Sequence, residues 1–121
     1  MARAEAEHIQ KYLAMTVDQL YSALWIEHQV GFRDEQRLES LSNVVARGKE
    51  LFQSFEAKLR KAICEDWNYC EKMKKEQFKD ATTLATAIAD LISGLFLGVS
   101  PFTIAAILTK IGLDRFCECA G

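Results

Sequence analysis

The sequence predicts an all-α fold: a single-domain helical bundle of four to five helices, with a long N-terminal helical pair and an apolar C-terminal helical hairpin. Three observations carry this expectation. Breakers are scarce, with one proline and six glycines in 121 residues, too few for the turns of an all-β chain. Apolar residues recur at steps of three and four, the period of one buried helical face. Half of the residues are hydrophobic and 26% are charged, an ordinary globular balance in a chain long enough for one domain and not comfortably for two.

The first helix is expected over residues 2–30. Ile9, Leu13, Val17, Leu20 and Leu24 form its stripe, and Tyr12, Tyr21, Trp25 and Ile26 widen it enough for two neighbours. Gly31 is its C-terminal stop. The second helix is expected from Asp34, an N-cap, with Glu35 in its first turn. Leu38, Leu41, Val45, Gly48, Phe52, Phe55, Leu59 and Ala62 then alternate steps of three and four. This is a heptad seam, suited to a bundle edge or to a dimer interface. Arg37, Glu39, Lys49, Glu50, Glu56 and Lys58 alternate in sign beside it, as on a solvated face.

From residue 63 to residue 80 the pattern turns polar. Glu65, Asp66 and Asn68 predict a bend, followed by a short helix anchored by Trp67, Tyr69, Met73 and Phe78. Trp67, Tyr69, Lys72, Lys74 and Lys75 form a candidate partner patch there. The last third reads as a hairpin. One arm spans 81–97, with Leu84, Ile88, Leu91, Ile92, Leu95 and Phe96 on its apolar face, and Gly98 ends it. Ser100 is an N-cap and Pro101 suits the first helical position. The second arm therefore runs over 101–117, with Phe102, Ile104, Ile107, Leu108, Ile111 and Phe116.

Residues 91–108 carry no charge, which raises a choice between membrane and core. Gly98 and Pro101 divide the run, and an arm of 17 residues spans about 25 Å, short of the ~30 Å hydrocarbon layer. Asp90 in lipid would cost roughly 2.5–3.5 kcal/mol. The hairpin is thus expected to be the most buried pair of a bundle covered by the first two helices. Leu91, Leu95, Phe96, Phe102, Ile104 and Leu108 are its apolar marks, and membrane insertion after a switch is the alternative. A stripe of mostly small residues on the first arm (Thr83, Ala87, Asp90, Gly94), with Ala105, Ala106 and Gly112 on the second, allows close helix approach in either setting.

Chemistry is sparse. No nucleophile elbow, phosphate loop, dinucleotide fingerprint or H-E-x-x-H helix occurs. MARAEAEHIQK has no apolar signal stretch, so a cytoplasmic setting is expected, with Cys64, Cys70, Cys117 and Cys119 as reduced thiols. A Cys₄ zinc site joining the bend to the tail is the sharper alternative. The CECAG ending leaves room for continuation into a longer protein. Glu5-x-x-His8 has the spacing of one half of a di-iron carboxylate site, and no second pair exists to complete it. His28 suits the C-terminal end of the first helix. Asp90 is the one buried-carboxylate candidate, expected to pair with Lys110 or Thr103. Lys58, Arg60, Lys61, Lys72, Lys74, Lys75 and Lys79 surround the bend, diluted by Glu65, Asp66, Glu71 and Glu76. With a net charge of −2, this disfavours nucleic acid as the partner.

The expectation is therefore a non-catalytic interaction or self-association module, needing no cofactor or metal. Its partner is itself or another protein. A small membrane-acting effector is the second reading.

Overall fold

The computed structural model describes residues 9–30, 41–74, 79–96 and 98–119, without the side chains of 29, 30, 41 and 42. Every regular element among them is helical. Helix α1 ends at residue 13, its described part covering 9–13. It is followed by α2 (Val17–Val30), α3 (Leu41–Leu59), a π-helix, π1 (Arg60–Asp66), α4 (Tyr69–Lys72), α5 (Ala81–Ile92), α6 (Pro101–Ile111) and α7 (Leu113–Phe116).

The single helix expected over 2–30 is two helices. Thr16-Val17-Asp18-Gln19 is a capping box. The Gln19 N–H donates to Thr16 Oγ1 at 3.1 Å, and the Thr16 N–H donates to Gln19 Oε1 at 2.8 Å. These bonds start a helix afresh where the apolar period reads straight through. Lys110 Nζ then donates to the Leu13 carbonyl at the end of α1, at 2.9 Å, as a cation does at a helix C-terminus.

The seam of α3 closes the bundle from within. Phe52 and Leu59 are buried, and Val45 and Phe55 are half-buried. Phe52 meets the Tyr21 ring edge-on at 5.9 Å, and Phe55 stacks on Phe96 at 4.2 Å. Gly48 lies directly on the backbone of Tyr21 in α2. Its buried members are therefore spent inside the chain rather than offered to a second molecule. Asp34, Glu35 and Leu38 lie outside the described residues, as does the Leu41 side chain.

Asp80 caps α5. Its carboxylate accepts from the Thr83 N–H and hydroxyl, both at 2.9 Å, and these bonds hold its pKa below the ordinary value. The arm ends at Ile92, not at residue 97, because Ser93 turns extended and Gly94 takes φ +90°, a conformation that favours glycine. Ser100 and Pro101 open α6 as expected, with the Phe102 N–H donating to Ser100 Oγ at 3.1 Å. Gly112, at φ +101°, then separates α6 from α7 within the expected second arm.

Helix α6 is the centre of the fold. Thr103 through Leu108 are fully buried, packed between α5 and α2. Each large aliphatic side chain contributes roughly 1.5–3 kcal/mol before entropy is subtracted. Glu27 ties α2 to the start of α6. Its carboxylate accepts from the Ser100 N–H at 3.0 Å and from the Thr103 hydroxyl at 2.8 Å. The acid thus sits at a helix N-terminus, where negative charge is favoured. This corrects the expectation for Asp90. Leu84, Ala85, Ile88, Ala89 and Ile92 turn the other face of α5 inward and leave Asp90 exposed. Lys110 and Thr103 take Leu13 and Glu27 as partners instead. No described helix is long and apolar enough to cross a membrane, and inserting the hairpin would strip α6 from α2.

Candidate functional site: a cystine clamp

At one end of the bundle the helices lose regularity together, and two distant segments are cross-linked there. Cys64 pairs with Cys117, and Cys70 with Cys119, at Cα separations of 5.4 and 5.5 Å. The thiols expected to be reduced are thus all paired, and none is left to make the alternative zinc set. No group of three or more His, Cys, Asp or Glu is placed to hold a metal among the described residues.

Local backbone geometry brings the sulfurs together. Past Leu59, α3 widens into π1, whose end is fixed by the Trp67 N–H donating to the carbonyl of Ala62, five residues back, at 3.0 Å. Asn68 then adopts φ +59°, the left-handed region that asparagine tolerates better than most residues. That residue turns the chain into α4, placing Cys70 beside Cys119. On the opposite segment, α7 ends in a Schellman motif. The Cys119 N–H donates to the Asp114 carbonyl at 3.0 Å, and the Glu118 N–H donates to the Arg115 carbonyl at 3.2 Å. Glu118 sits at φ +54°, where glycine is usual. Asn68 and Glu118 are the non-glycine residues with positive φ among those described. Each lies close before a bridged cysteine.

Polar contacts reinforce the clamp. Arg60 donates to the Phe116 carbonyl at 2.7 Å, and its guanidinium stands 4.5 Å from the Phe116 ring centroid. Tyr69 is buried, and its hydroxyl donates to Asp114 Oδ1 at 2.8 Å. Burial first, and then the bond to Asp114 and its charge, push the Tyr69 phenol well above the ordinary tyrosine range. Leu113 and Phe116 are buried beneath these contacts.

The expected partner patch is therefore only partly displayed. Tyr69 is removed from it, because the turn at Asn68 points this aromatic inward to Asp114. Trp67 stays half-buried, with Lys72 Nζ 5.8 Å from its ring centroid. Lys74 is exposed and pairs with Glu71 at 3.3 Å, while Lys61 pairs with Asp66 at 3.4 Å. Lys75 lies outside the described residues. Lys58 stands 5.8 Å from the Phe96 centroid, away from the patch proper.

The hairpin marks divide similarly. Ile104 and Leu108 are core, and Leu91, Phe96 and Phe102 are half-buried, Phe102 stacking on Tyr12 at 6.4 Å. Leu95, at 38% exposed, is one of two large apolar side chains in that class, with Ile26 the other, among the described residues. His28 lies 5.8 Å from the Trp25 ring at the end of α2, and His8 is outside the described residues.

Sequence reading missed the bridges, Arg60 and Asp114. An even cysteine count was the available signal. Four cysteines allow three connectivities, however, and spacing does not choose among them. No family model, no curated protein and no solved structure matches the chain.

Proposed function

We propose that this chain is a non-catalytic helical interaction module that offers its clamp end to a protein, either a second copy of itself or another chain. Trp67 is the observation that carries the reading. It is a half-buried tryptophan on a short segment cross-linked on both sides, at Cys64 and Cys70. Tryptophan is enriched among the few residues that dominate interface energetics. A surface already fixed in place loses little conformational freedom on binding. Signs are mixed around it: Lys61, Lys72, Lys74 and Arg115 alternate with Glu65, Asp66, Glu71 and Glu118. A near-balanced rim suits a protein, whereas a phosphate backbone selects for a uniformly positive one.

The bridges also bear on the compartment. Cystines persist where the thiol pool is oxidising and open in a reducing cytosol. In this reading the oxidised chain belongs to an oxidising compartment, and the cytoplasmic placement expected from the N-terminal residues fits the reduced chain alone.

Photo-crosslinking tests the module. A benzophenone amino acid replaces Trp67 or, as a control, the exposed Gln53 on α3, in cells that make the protein. Position 67 is expected to give one discrete adduct, identified by mass as this chain or a second protein, and position 53 none. In binding to the protein so identified, Trp67→Ala is expected to lose at least about 30-fold, the scale of a 2 kcal/mol anchor. Equal adducts at both positions, or unchanged affinity of Trp67→Ala, would remove the reading.

A further inference from the structure

We propose that the two cystines form a redox latch that holds residues 60–66 in π-helical register, and that their reduction returns this segment to α-helical register and undocks residues 113–119. The regulatory consequence, a reorientation of Trp67, rests on the interaction reading above. The latch itself does not.

The sequence of π1 gives no local reason for its geometry. Arg60-Lys61-Ala62-Ile63-Cys64-Glu65-Asp66 contains neither glycine nor proline. Its first three residues are good α-formers, and the nineteen residues of α3 lead into it with α geometry. Seven π-helical residues are unusual, since π segments mostly occur as single-turn bulges. The reason lies in where Cys64 must point. Leu59 is fully buried, and Cys64 follows it by five. The wider π turn leaves Cys64 nearer the face of Leu59 than an α-helix would, toward the bundle and Cys117. In an α-helix the same step of five lands about 140° round from Leu59, away from that face. The bridge to Cys117 and the π register therefore favour each other.

The rest of the clamp shows the same dependence. Asn68 and Glu118 occupy left-handed conformations beside Cys70 and Cys119, which the second bridge holds together. Arg60 opens π1 and reaches the Phe116 carbonyl. A change of register past Leu59 moves Arg60 and Cys64 together, and with them the grip on the tail. The core built by Leu20, Leu24, Phe52, Ile88, Ile104 and Ile107 lies mainly in the other helices, and Ile63, Tyr69, Leu113 and Phe116 join this end to it.

The reaction balances simply. Each S–S bond accepts two electrons and two protons and becomes two thiols. The donor is a dithiol reductant of the thioredoxin class, one equivalent per bridge, itself oxidised to a disulfide.

The test is nuclear magnetic resonance on the full chain, alone in solution, oxidised and after reduction by dithiothreitol to four titratable thiols. Through-hydrogen-bond couplings identify the acceptor of each amide. The oxidised chain is expected to couple the Trp67 N–H to the Ala62 carbonyl. On reduction that coupling should give way to one with the Ile63 carbonyl, and amides of 113–119 should exchange at least about 100-fold faster. The Cys64→Ser/Cys117→Ser double variant should show the same shift with no reductant. Persistence of the Trp67–Ala62 coupling with four thiols present, or loss of shift dispersion across the whole chain, overturns the latch. Because no partner is in the tube, such a failure leaves the crosslinking result at Trp67 standing or falling by itself.

Discussion

Gly48→Ala is expected to lower stability by about 3 kcal/mol, although the same exchange inside an ordinary exposed helix would raise it by about 1 kcal/mol. A Cβ at position 48 would lie 2.5 Å from the carbonyl carbon of Tyr21 and closer still to its oxygen. The obstacle is main chain, so no rotamer change relieves it. Helix α2 must back away from α3, and the edge contact of Tyr21 with Phe52 opens with it. Chemical denaturation measures the effect, with exposed Gln53→Ala, on the same helix, as a near-neutral control. A neutral or stabilising Gly48→Ala would mean that α2 and α3 do not meet at this point.

Loss of both bridges is expected to exceed the sum of the two single losses. Alone, either bridge closes a loop of about fifty residues, the separations being 53 and 49. In the chain-entropy account each is then worth about 4 kcal/mol. With one already closed, the other closes only a small ring through 64–70 and 117–119. Roughly ten residues give about 2.5 kcal/mol. Cys64→Ser/Cys117→Ser and Cys70→Ser/Cys119→Ser are therefore each expected to cost about 2.5 kcal/mol, and the quadruple variant about 6.5 kcal/mol. The excess over additivity, about 1.5 kcal/mol, is the signature of two bridges sharing one clamp, and a double-mutant cycle reads it directly. Strict additivity would show that the bridges constrain separate regions.

The helical class was legible because the period of α3 is nearly perfect and because Ser100-Pro101 is a strong start signal that the structure uses directly. Gly48 was legible as a small residue in a seam. That it admits a backbone rather than a bulky side chain was not, since either neighbour leaves the same glycine. The break between α1 and α2 was written in Thr16 and Gln19. It was overridden by an apolar period that runs unbroken from Ile9 to Leu24, and two helices in sequence can keep such a period by coincidence. Asp90 was misplaced for a different reason. An acid in an apolar stretch reads as buried, yet α5 has an outer face, and only the positions of α2 and α6 decide which side is outer.

The clamp was half legible. A bend near Asn68 and a pairing of bend with tail were both in reach of the spacing. The oxidation state was not, because the N-terminal residues argued for reduced thiols and thiol spacing carries no redox information. The π register was invisible, since nothing in Arg60–Asp66 distinguishes it from a continuing α-helix. Trp67 and Tyr69 looked equivalent as aromatic residues two apart. The left-handed turn at Asn68 separates them, leaving Trp67 partly exposed and turning Tyr69 inward onto Asp114.

Every statement about this end of the molecule depends on which cysteine meets which. Digestion of the unreduced protein by a protease that cuts after glutamate decides it, because cleavage after Glu65 separates Cys64 from Cys70, and cleavage after Glu118 separates Cys117 from Cys119. The masses should show one linked pair joining the Cys64 and Cys117 peptides and another joining those of Cys70 and Cys119. Linkage of Cys64 to Cys70, of Cys117 to Cys119, or of Cys64 to Cys119 would contradict the clamp, as would four alkylatable thiols in the protein purified without reductant under oxidising conditions.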